Sequence, residues 1–125
     1  MSAIDELARH RYLSLATFRA SGAEVRTPVW FVVLGERLYV FTGEDTGKVK
    51  RLRRSSRARV AASDVRGGLR GAWHDATARL ITDARVLADA RTAFVRKYGW
   101  QLRLLDVFSR LSGRIHRRAW IEIRV

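Results

Sequence analysis

A run of cationic residues follows a glycine-bearing loop in the first half of the chain. The loop Thr42-Gly43-Glu44-Asp45-Thr46-Gly47 leads into a predicted helix over residues 47–54, which carries Lys48, Lys50 and Arg51 near its start. A helix start presents free backbone N–H groups and the positive end of the helix dipole, so cations are unfavourable there unless an anion is bound. The pattern predicts a phosphate or carboxylate site, although a solvated basic helix would use the same residues.

The second candidate site is the stretch Thr27-Pro28-Val29-Trp30, which contains the single proline of the chain. Proline cannot donate to a β-ladder, so inside a strand-like run it indicates an edge, a bulge or a place where a ligand meets the backbone. Trp30 can line a pocket for a planar ring. It can equally belong to the core or to an interface, and the residue type alone favours that second interpretation.

Motifs of several enzyme classes are absent from the sequence. There is no cysteine, which excludes a thiolate zinc site and cysteine catalysis. His10, His74 and His116 are far apart and form no H-E-x-x-H motif, so no metal site is predicted. His74 and Asp75 lie in a predicted strand, where neighbours point to opposite faces and cannot form a dyad. Without a G-x-S-x-G, Walker or G-x-G-x-x-G motif, any catalysis must come from a bound cofactor.

Length and charge set the general class of protein. The 125 residues are enough for one domain over residues 1–125, and 47% hydrophobic residues are typical of a folded chain. The 25 lysines and arginines exceed the 12 acidic residues, which gives a formal net charge of +13 and predicts an anionic partner. The N-terminus is acidic and the longest uncharged stretch, residues 27–35, is too short for a membrane helix, so we expect a cytoplasmic protein.

The predicted elements place both candidate sites on a small antiparallel barrel. After a short helix capped by Ser2, strands are predicted over residues 12–18, 24–34 and 38–42, and the short turns between them make these strands antiparallel neighbours. Further strands are predicted over residues 59–65, 71–81 and 119–125. Thr46 is the predicted cap of a helix over residues 47–54. Thr82-Asp83 is the predicted cap of a second helix, whose apolar residues run from Val86 to Tyr98, and a last helix follows Gly99. The fold class is therefore mainly β, a closed barrel with peripheral helices.

Several segments share a pattern with a known family. They are Tyr12-Leu13-Ser14-Leu15-Ala16-Thr17-Phe18, Thr27-Pro28-Val29-Trp30-Phe31, Leu38-Tyr39-Val40-Phe41-Thr42, Gly47-Lys48-Val49-Lys50-Arg51-Leu52-Arg53, Gly71-Ala72-Trp73, Ala78-Arg79-Leu80, Lys97-Tyr98-Gly99-Trp100 and Ala119-Trp120-Ile121-Glu122-Ile123. Together they resemble the pyridoxamine 5'-phosphate oxidase-like (PPOX-class) split-barrel superfamily. More narrowly, they resemble its actinobacterial branch of F420-dependent oxidoreductases.

The resemblance implies a homodimer of split β-barrels of the FMN-binding type, with two cofactor sites at the subunit interface. It implies coenzyme F420 as the cofactor, with FMN as the alternative used by other branches. By position, Lys48 is expected to hold the cofactor phosphate with the help of Thr42, Lys50 and Arg51. The strand Thr27-Pro28-Val29-Trp30 is expected to lie along the ring, mainly through backbone contacts. The family shows no dedicated protein nucleophile, so no catalytic residue is assigned.

The sequence is compatible with three functions. The leading one is an F420-dependent reductase that transfers hydride to a small conjugated or quinone-like substrate. The second keeps the fold, as an FMN-binding protein or an F420 carrier without efficient turnover. The third is a basic nucleic-acid-binding module, which the absence of any such motif disfavours, so no nucleic-acid partner is expected. The helices over residues 83–111 are expected to wall the substrate side of the pocket, to pack on the dimer, or simply to cover one barrel end.

Overall fold

The computed structural model describes residues 2–113 and 117–125. In chain order the elements are α1 (Ala3–Ala8), β1 (Tyr12–Phe18), β2 (Glu24–Trp30), β3 (Val32–Leu34), β4 (Arg37–Gly43), α2 (Gly47–Arg54), β5 (Arg57–Ser63), β6 (His74–Ile81), α3 (Ala84–Tyr98), α4 (Trp100–Leu111) and β7 (Arg118–Arg124). Among these elements, no helix is long and apolar enough to cross a membrane.

The seven strands form one antiparallel sheet in the order β2-β1-β5-β6-β7-β4-β3. Strands β2 and β3 lie at its two opposite edges, yet Phe31 alone separates them in the chain. The sheet must therefore curl until its two edge strands come close together. These two strands are connected through the backbone at Phe31. This arrangement confirms the predicted mainly β split barrel with helices around it.

The bend at Phe31 corrects the prediction of one continuous strand over residues 24–34. Strand β2, the first part of this segment, pairs with β1, and strand β3, the second part, pairs with β4. Both predicted hairpins are therefore present although the strand is divided. One strand cannot remain straight and still pair at both edges of the sheet. The other boundaries differ less, since β5 begins and ends two residues before the predicted strand and β6 begins at His74 rather than at residue 71.

Alternating residues of the strands fill the barrel interior. Leu13 and Leu15 of β1 and Ile121 and Ile123 of β7 are fully buried in this core. Helix α2 packs across one end of the barrel, mainly against β6 and β1, and buries Val49 and Leu52. The cationic residues of α2 are consequently fixed to the barrel end.

A second apolar cluster lies between the outer face of the sheet and helix α3. Ala90, Phe94 and Tyr98 of α3 are buried against Val32 and Tyr39. The carboxylate of Asp83 accepts hydrogen bonds from the backbone N–H groups of Arg85 and Val86, so within the predicted cap Thr82-Asp83 it is Asp83 that caps α3.

Helix α4 follows α3 after Gly99 and has few contacts with the barrel. It buries Leu102 and Asp106, whose carboxylate is paired with Arg91 at 2.6 Å and with Arg118 at 2.9 Å. Helix α3 therefore covers the core, as one of the expectations for the late helices states. Helix α4 does not, because most of its apolar residues are exposed.

Candidate functional site

The start of α2 lacks a side-chain cap. Thr46 is the N-cap residue, but its hydroxyl donates to the carbonyl oxygen of Gly43 at 3.0 Å instead of accepting from the helix. This corrects the prediction that the Thr46 side chain caps α2. The backbone N–H groups of Gly47, Lys48 and Val49 have no hydrogen-bond partner among the described residues. Three free donors at a helix start can bind an anion.

The guanidinium of Arg51 folds back over this helix start. Its Nε donates to the hydroxyl of Thr17 at 2.6 Å. One terminal nitrogen lies only 2.6 Å from the position that a Cβ would take on Gly47. Glycine at position 47 therefore leaves the space in which the guanidinium lies beside the free N–H groups.

Four cations gather at this end of the barrel, which we call the α2 cationic cluster: Arg19, Lys48, Arg51 and Arg54. Burial and the charge of Arg51 lower the pKa of Lys48, and burial with the charges of Arg19 and Arg54 lowers the pKa of Arg51. In the part of the chain that the structure describes, no carboxylate lies within 4.0 Å of these four side chains. Mutual repulsion without a counter-ion is the electrostatic condition that a bound anion relieves.

Lys50 does not join this cluster. It is exposed, and two residues along an α-helix rotate its side chain by about 200° from that of Lys48. The structure thus brings Lys48 and Arg51 together, as predicted for a phosphate site, and leaves Lys50 on another face of α2.

Thr42 lies beside the same helix start. Its hydroxyl oxygen is 3.5 Å from that of Thr46. Both threonines line an open groove of about 550 Å³ between the β4–α2 loop, α4 and the start of β7; its other lining residues are Phe41, Gly43, Asp45, Leu105, Ser109, Arg117 and Arg118. Thr42 is therefore placed where a ligand in this groove could contact it.

The stretch Thr27-Pro28-Val29-Trp30 lies in β2, an edge strand, which confirms one of the three interpretations of the proline. Val29 packs against the barrel core and Pro28 is exposed. The hydroxyl of Thr27 is buried and has no hydrogen-bond partner within residues 2–113 and 117–125. Trp30 is half-buried and stacks on Tyr98 with ring centroids 4.5 Å apart. This contact supports the interpretation of Trp30 as a packing residue.

The position of β2 along β1 gives its distance from the α2 cationic cluster. Thr17, which binds Arg51, lies two residues from Leu15, the partner of Thr27, and five residues from Tyr12, the partner of Trp30. At about 3.3 Å per residue these separations are about 7 Å and 17 Å. Within one subunit the cluster is therefore close to Thr27 and distant from Trp30.

Comparison with known proteins identifies the family. A sequence profile of the pyridoxamine 5'-phosphate oxidase family matches residues 2–125. The chain belongs to this family. A search of curated proteins with the sequence finds no match.

Solved structures similar to this member of the pyridoxamine 5'-phosphate oxidase family carry several different descriptions. The heme storage protein HutZ of Vibrio cholerae has a TM-score of 0.72 at 16% identity, with 97% of this chain and 86% of that chain covered. A FAD-binding protein of Mesorhizobium loti has a TM-score of 0.65 at 16% identity, covering 100% and 88%. An F420 reductase has a TM-score of 0.63 at 16% identity, covering 99% and 94%. At these identities the similarity establishes the fold.

Sequence reasoning missed several residues that this family member brings to the site. Arg19 and Arg54 belong to the α2 cationic cluster, and Arg117 and Arg118 line the groove. Arg19, Arg117 and Arg118 are far from α2 in the sequence, so only their charge could have pointed to them in a chain rich in arginine. Arg54 lies three residues after Arg51 on the same helix, so helical spacing could have indicated it.

The histidines add no further site. The Nε2 atom of His74 is buried and has no hydrogen-bond partner in the described part of the chain. Asp75 beside it is almost fully exposed on the opposite face, as the alternation of a strand requires. His116 lies outside the described residues. Across residues 2–113 and 117–125 no group of three His, Cys, Asp or Glu residues could hold a metal ion.

Proposed function

We propose that this chain is an oxidoreductase that binds coenzyme F420 and reduces a small conjugated or quinone-like substrate, as in the actinobacterial branch that its sequence resembles. The observation that carries the proposal is the convergence of Lys48 and Arg51 on the uncapped start of α2, where no carboxylate of the described residues pairs with them. When bound, the coenzyme supplies the hydride.

The residues present fit the phosphate of such a coenzyme. Lys48 and Arg51 supply charge, and the free N–H groups of the first turn of α2 supply directed donors, a combination that gives strong charge-assisted hydrogen bonds. The hydroxyl of Thr42 can add a contact from the groove. The edge strand β2 offers backbone groups for the ring near Thr27, whose partner Leu15 lies about 7 Å along β1 from Thr17, with Pro28 exposed beside them.

The proposal includes a homodimer. Strand β2 lies at an edge of the sheet, and a ring held along it by one subunit would be exposed on one side. A second subunit could cover it, exclude water from the reacting atoms and contribute the surface against which the substrate binds. The roles proposed for the chain's own residues are to bind and orient the coenzyme, in keeping with the absence of a nucleophile motif in the sequence.

FMN is the alternative cofactor, because it also carries a phosphate and because a structural neighbour is described as FAD-binding. The two candidates differ in the charge beyond the first phosphate. The oligoglutamate tail of F420 makes it the more anionic ligand, which suits a chain of net charge +13. An F420 carrier without turnover would bind the same anionic ligand, so it is a variant of the proposal.

A side-by-side titration of the purified protein with F420 and FMN tests the proposal. We expect the fluorescence of F420 to change on binding with higher affinity than FMN shows, and an F420-bound sample to reduce conjugated acceptors when the coenzyme is supplied in reduced form. Preferential binding of FMN would assign the alternative. Failure of both ligands to bind would reject the proposed cofactor site.

A further inference from the structure

Helix α4 presents an apolar face to solvent. We define the α4 stripe as its five most exposed apolar residues, which are 50–80% exposed: Trp100, Leu104, Val107, Phe108 and Leu111. Their exposed fractions correspond to on the order of 600 Å² of apolar surface, the upper end of the roughly 300–600 Å² found for the largest patch of a monomer. A surface helix normally turns its apolar face inward, and a contiguous exposed patch of this size marks an interaction surface.

The α4 stripe points away from the rest of the protein. At 3.6 residues per turn its five residues lie within an arc of about 100° around the helix, and Leu102 lies about 180° from the centre of this arc. Leu102 and Asp106 hold the opposite side of α4 to the protein, and the Asp106 carboxylate pairs with Arg91 and Arg118. The stripe is therefore the outermost ridge of the helix, and an apolar ridge can insert into a soft, nearly flat surface.

Cations lie along one flank of the α4 stripe. Arg103 and Arg110 are both exposed, and because they are seven residues apart they lie on the same side of the helix. No carboxylate of residues 2–113 and 117–125 lies within 4.0 Å of either guanidinium. The one acidic residue of α4, Asp106, is buried. The outward side of α4 is consequently apolar and cationic, on a chain of net charge +13.

We propose that α4 docks on the surface of an anionic lipid bilayer, with the α4 stripe inserted among the first acyl carbons and with Arg103 and Arg110 against the lipid phosphates. With 12 residues α4 is about 18 Å long, whereas the hydrocarbon core of a bilayer is about 30 Å thick. The helix therefore lies in the plane of the surface. Trp, Phe and Leu on one face with basic residues beside them are typical of helices that bind in this plane.

A bilayer with anionic headgroups supplies both a deformable apolar layer for the stripe and negative charge for the arginines. The indole of Trp100 can place its ring among the acyl carbons and its N–H at the headgroups, which is the usual position of tryptophan at a membrane surface. Each arginine near an anionic surface strengthens binding by about fivefold.

Docking through the stripe leaves the candidate cofactor site accessible. Leu105 and Ser109, which line the groove that contains Thr42, lie on another side of α4. A bilayer on the stripe therefore does not cover this groove. The inference is independent of the proposed function, and F420 titration of the variants below reports separately on the cofactor site.

Co-sedimentation of the full chain with lipid vesicles tests the docking. We expect the wild type to bind phosphatidylcholine vesicles in which one third of the lipid is phosphatidylserine, and to bind pure phosphatidylcholine vesicles at least tenfold more weakly. Leu104→Glu should weaken binding to the anionic vesicles at least tenfold, because a negative charge replaces an inserted apolar side chain.

Leu69→Glu is the matched control, because Leu69 is similarly exposed at 46% and lies outside α4. It should change the affinity for the anionic vesicles less than twofold. Equal losses in the two variants would mean that only the net charge matters and would overturn the proposal. A wild type that binds neither kind of vesicle also overturns it, and a changed oligomeric state of Leu104→Glu would then assign the stripe to a protein contact.

Fluorescence quenching by lipids with brominated acyl chains tests which face of the protein contacts the bilayer. Bromine quenches a tryptophan only at short range, so the fluorescence of the vesicle-bound wild type should fall through Trp100. Trp100→Phe keeps an apolar side chain and should still bind, but most of the quenching should disappear. Trp73→Phe, outside α4, is the control and should keep it. If Trp100→Phe is quenched as strongly as the wild type, another face meets the lipid and the proposal is wrong.

Discussion

The hydroxyl oxygen of Tyr98 accepts a hydrogen bond from the backbone N–H of Phe31 at 2.9 Å, at the residue where β2 ends and β3 begins. The same hydroxyl lies 2.7 Å from the carbonyl oxygen of Arg11 and 2.9 Å from that of Phe31, so its hydrogen can be donated to either. Lys97 adds a hydrogen bond to the Phe31 carbonyl at 3.0 Å. Two consecutive residues of α3 thus satisfy the backbone at the bend that closes the barrel.

Replacing Tyr98 with phenylalanine tests this role. The ring remains, but the buried N–H of Phe31 loses its partner, and we expect Tyr98→Phe to lower the free energy of unfolding by about 1–3 kcal/mol. Denaturant unfolding measures the change. Tyr12→Phe is the control, because the Tyr12 hydroxyl has no hydrogen bond among the described residues, and an equal loss in both variants would refute the assignment.

Lys97 makes the stability depend on pH. Burial and the charge of Arg11 lower its pKa from 10.5 to about 8. Between these values the unfolded chain binds more protons than the folded one, so stability rises with pH. We expect the free energy of unfolding to increase by on the order of 1 kcal/mol between pH 8 and pH 10. The range ends at pH 10 because burial raises the pKa of Tyr98, so that above this pH the unfolded chain loses the tyrosine proton first and stability falls with pH.

Urea unfolding at pH 8, 9 and 10 measures this gain. Lys97→Met should lose most of it, while Lys50→Met should keep it. Lys48, whose pKa is also lowered, remains in both variants and contributes equally to each. An unchanged gain in Lys97→Met would show that the amine is not held as the structure places it.

The fold was predictable because alternation and turns determine which segments pair. The segments over residues 12–18, 24–34 and 38–42 gave the correct hairpins, and the capping aspartate gave the start of α3. The break at Phe31 could not be predicted, since nothing in Trp30-Phe31-Val32 departs from a strand pattern. The interruption is stabilised by Lys97 and Tyr98, which lie about 66 residues further along the chain.

The candidate site was predictable only in part, for a similar reason. The loop and helix sequence placed Lys48 and Arg51 at a helix start, and the structure adds that Arg51 folds back over Gly47. It also separates Lys50 from them and turns Trp30 toward Tyr98. Helical rotation could have excluded Lys50 from the sequence alone, whereas the contact of Trp30 depends on tertiary packing.

The two lysines of α2 provide a matched pair for testing the phosphate site. We expect Lys48→Ala to weaken F420 binding about tenfold or more, because a hydrogen bond to a charged group contributes roughly 1.5–3 kcal/mol. Lys50→Ala also removes one positive charge, but from a face of α2 that points away from Lys48, and it should change the affinity for F420 less than twofold. Fluorescence titration at constant ionic strength measures both, and equal losses would mean that only the net charge matters.

Gly47→Ala tests the space that the Arg51 guanidinium occupies. Alanine favours a helix more than glycine does, so the folded protein should be at least as stable. Its Cβ would lie 2.6 Å from a guanidinium nitrogen, and the flexible end of Arg51 must move away from the helix start. We expect F420 binding to weaken severalfold while the melting temperature does not fall. Unchanged affinity would place the phosphate away from Arg51.

The attachment of α4 depends on Asp106, which is 8% exposed. Burial alone would raise the pKa of this carboxyl, but the charges and hydrogen bonds of Arg91 and Arg118 outweigh burial and lower it. The ionised carboxylate therefore stabilises the folded state, and this stabilisation is lost as the pH falls below about 4. Asp106→Asn leaves Arg118, itself largely buried, without its counter-charge. We expect a loss on the order of 2–3 kcal/mol and faster tryptic cleavage after Arg103 and Arg110. Asp89→Asn on the exposed side of α3 is the control, and cleavage of α4 at the wild-type rate in Asp106→Asn would show that other contacts hold the helix.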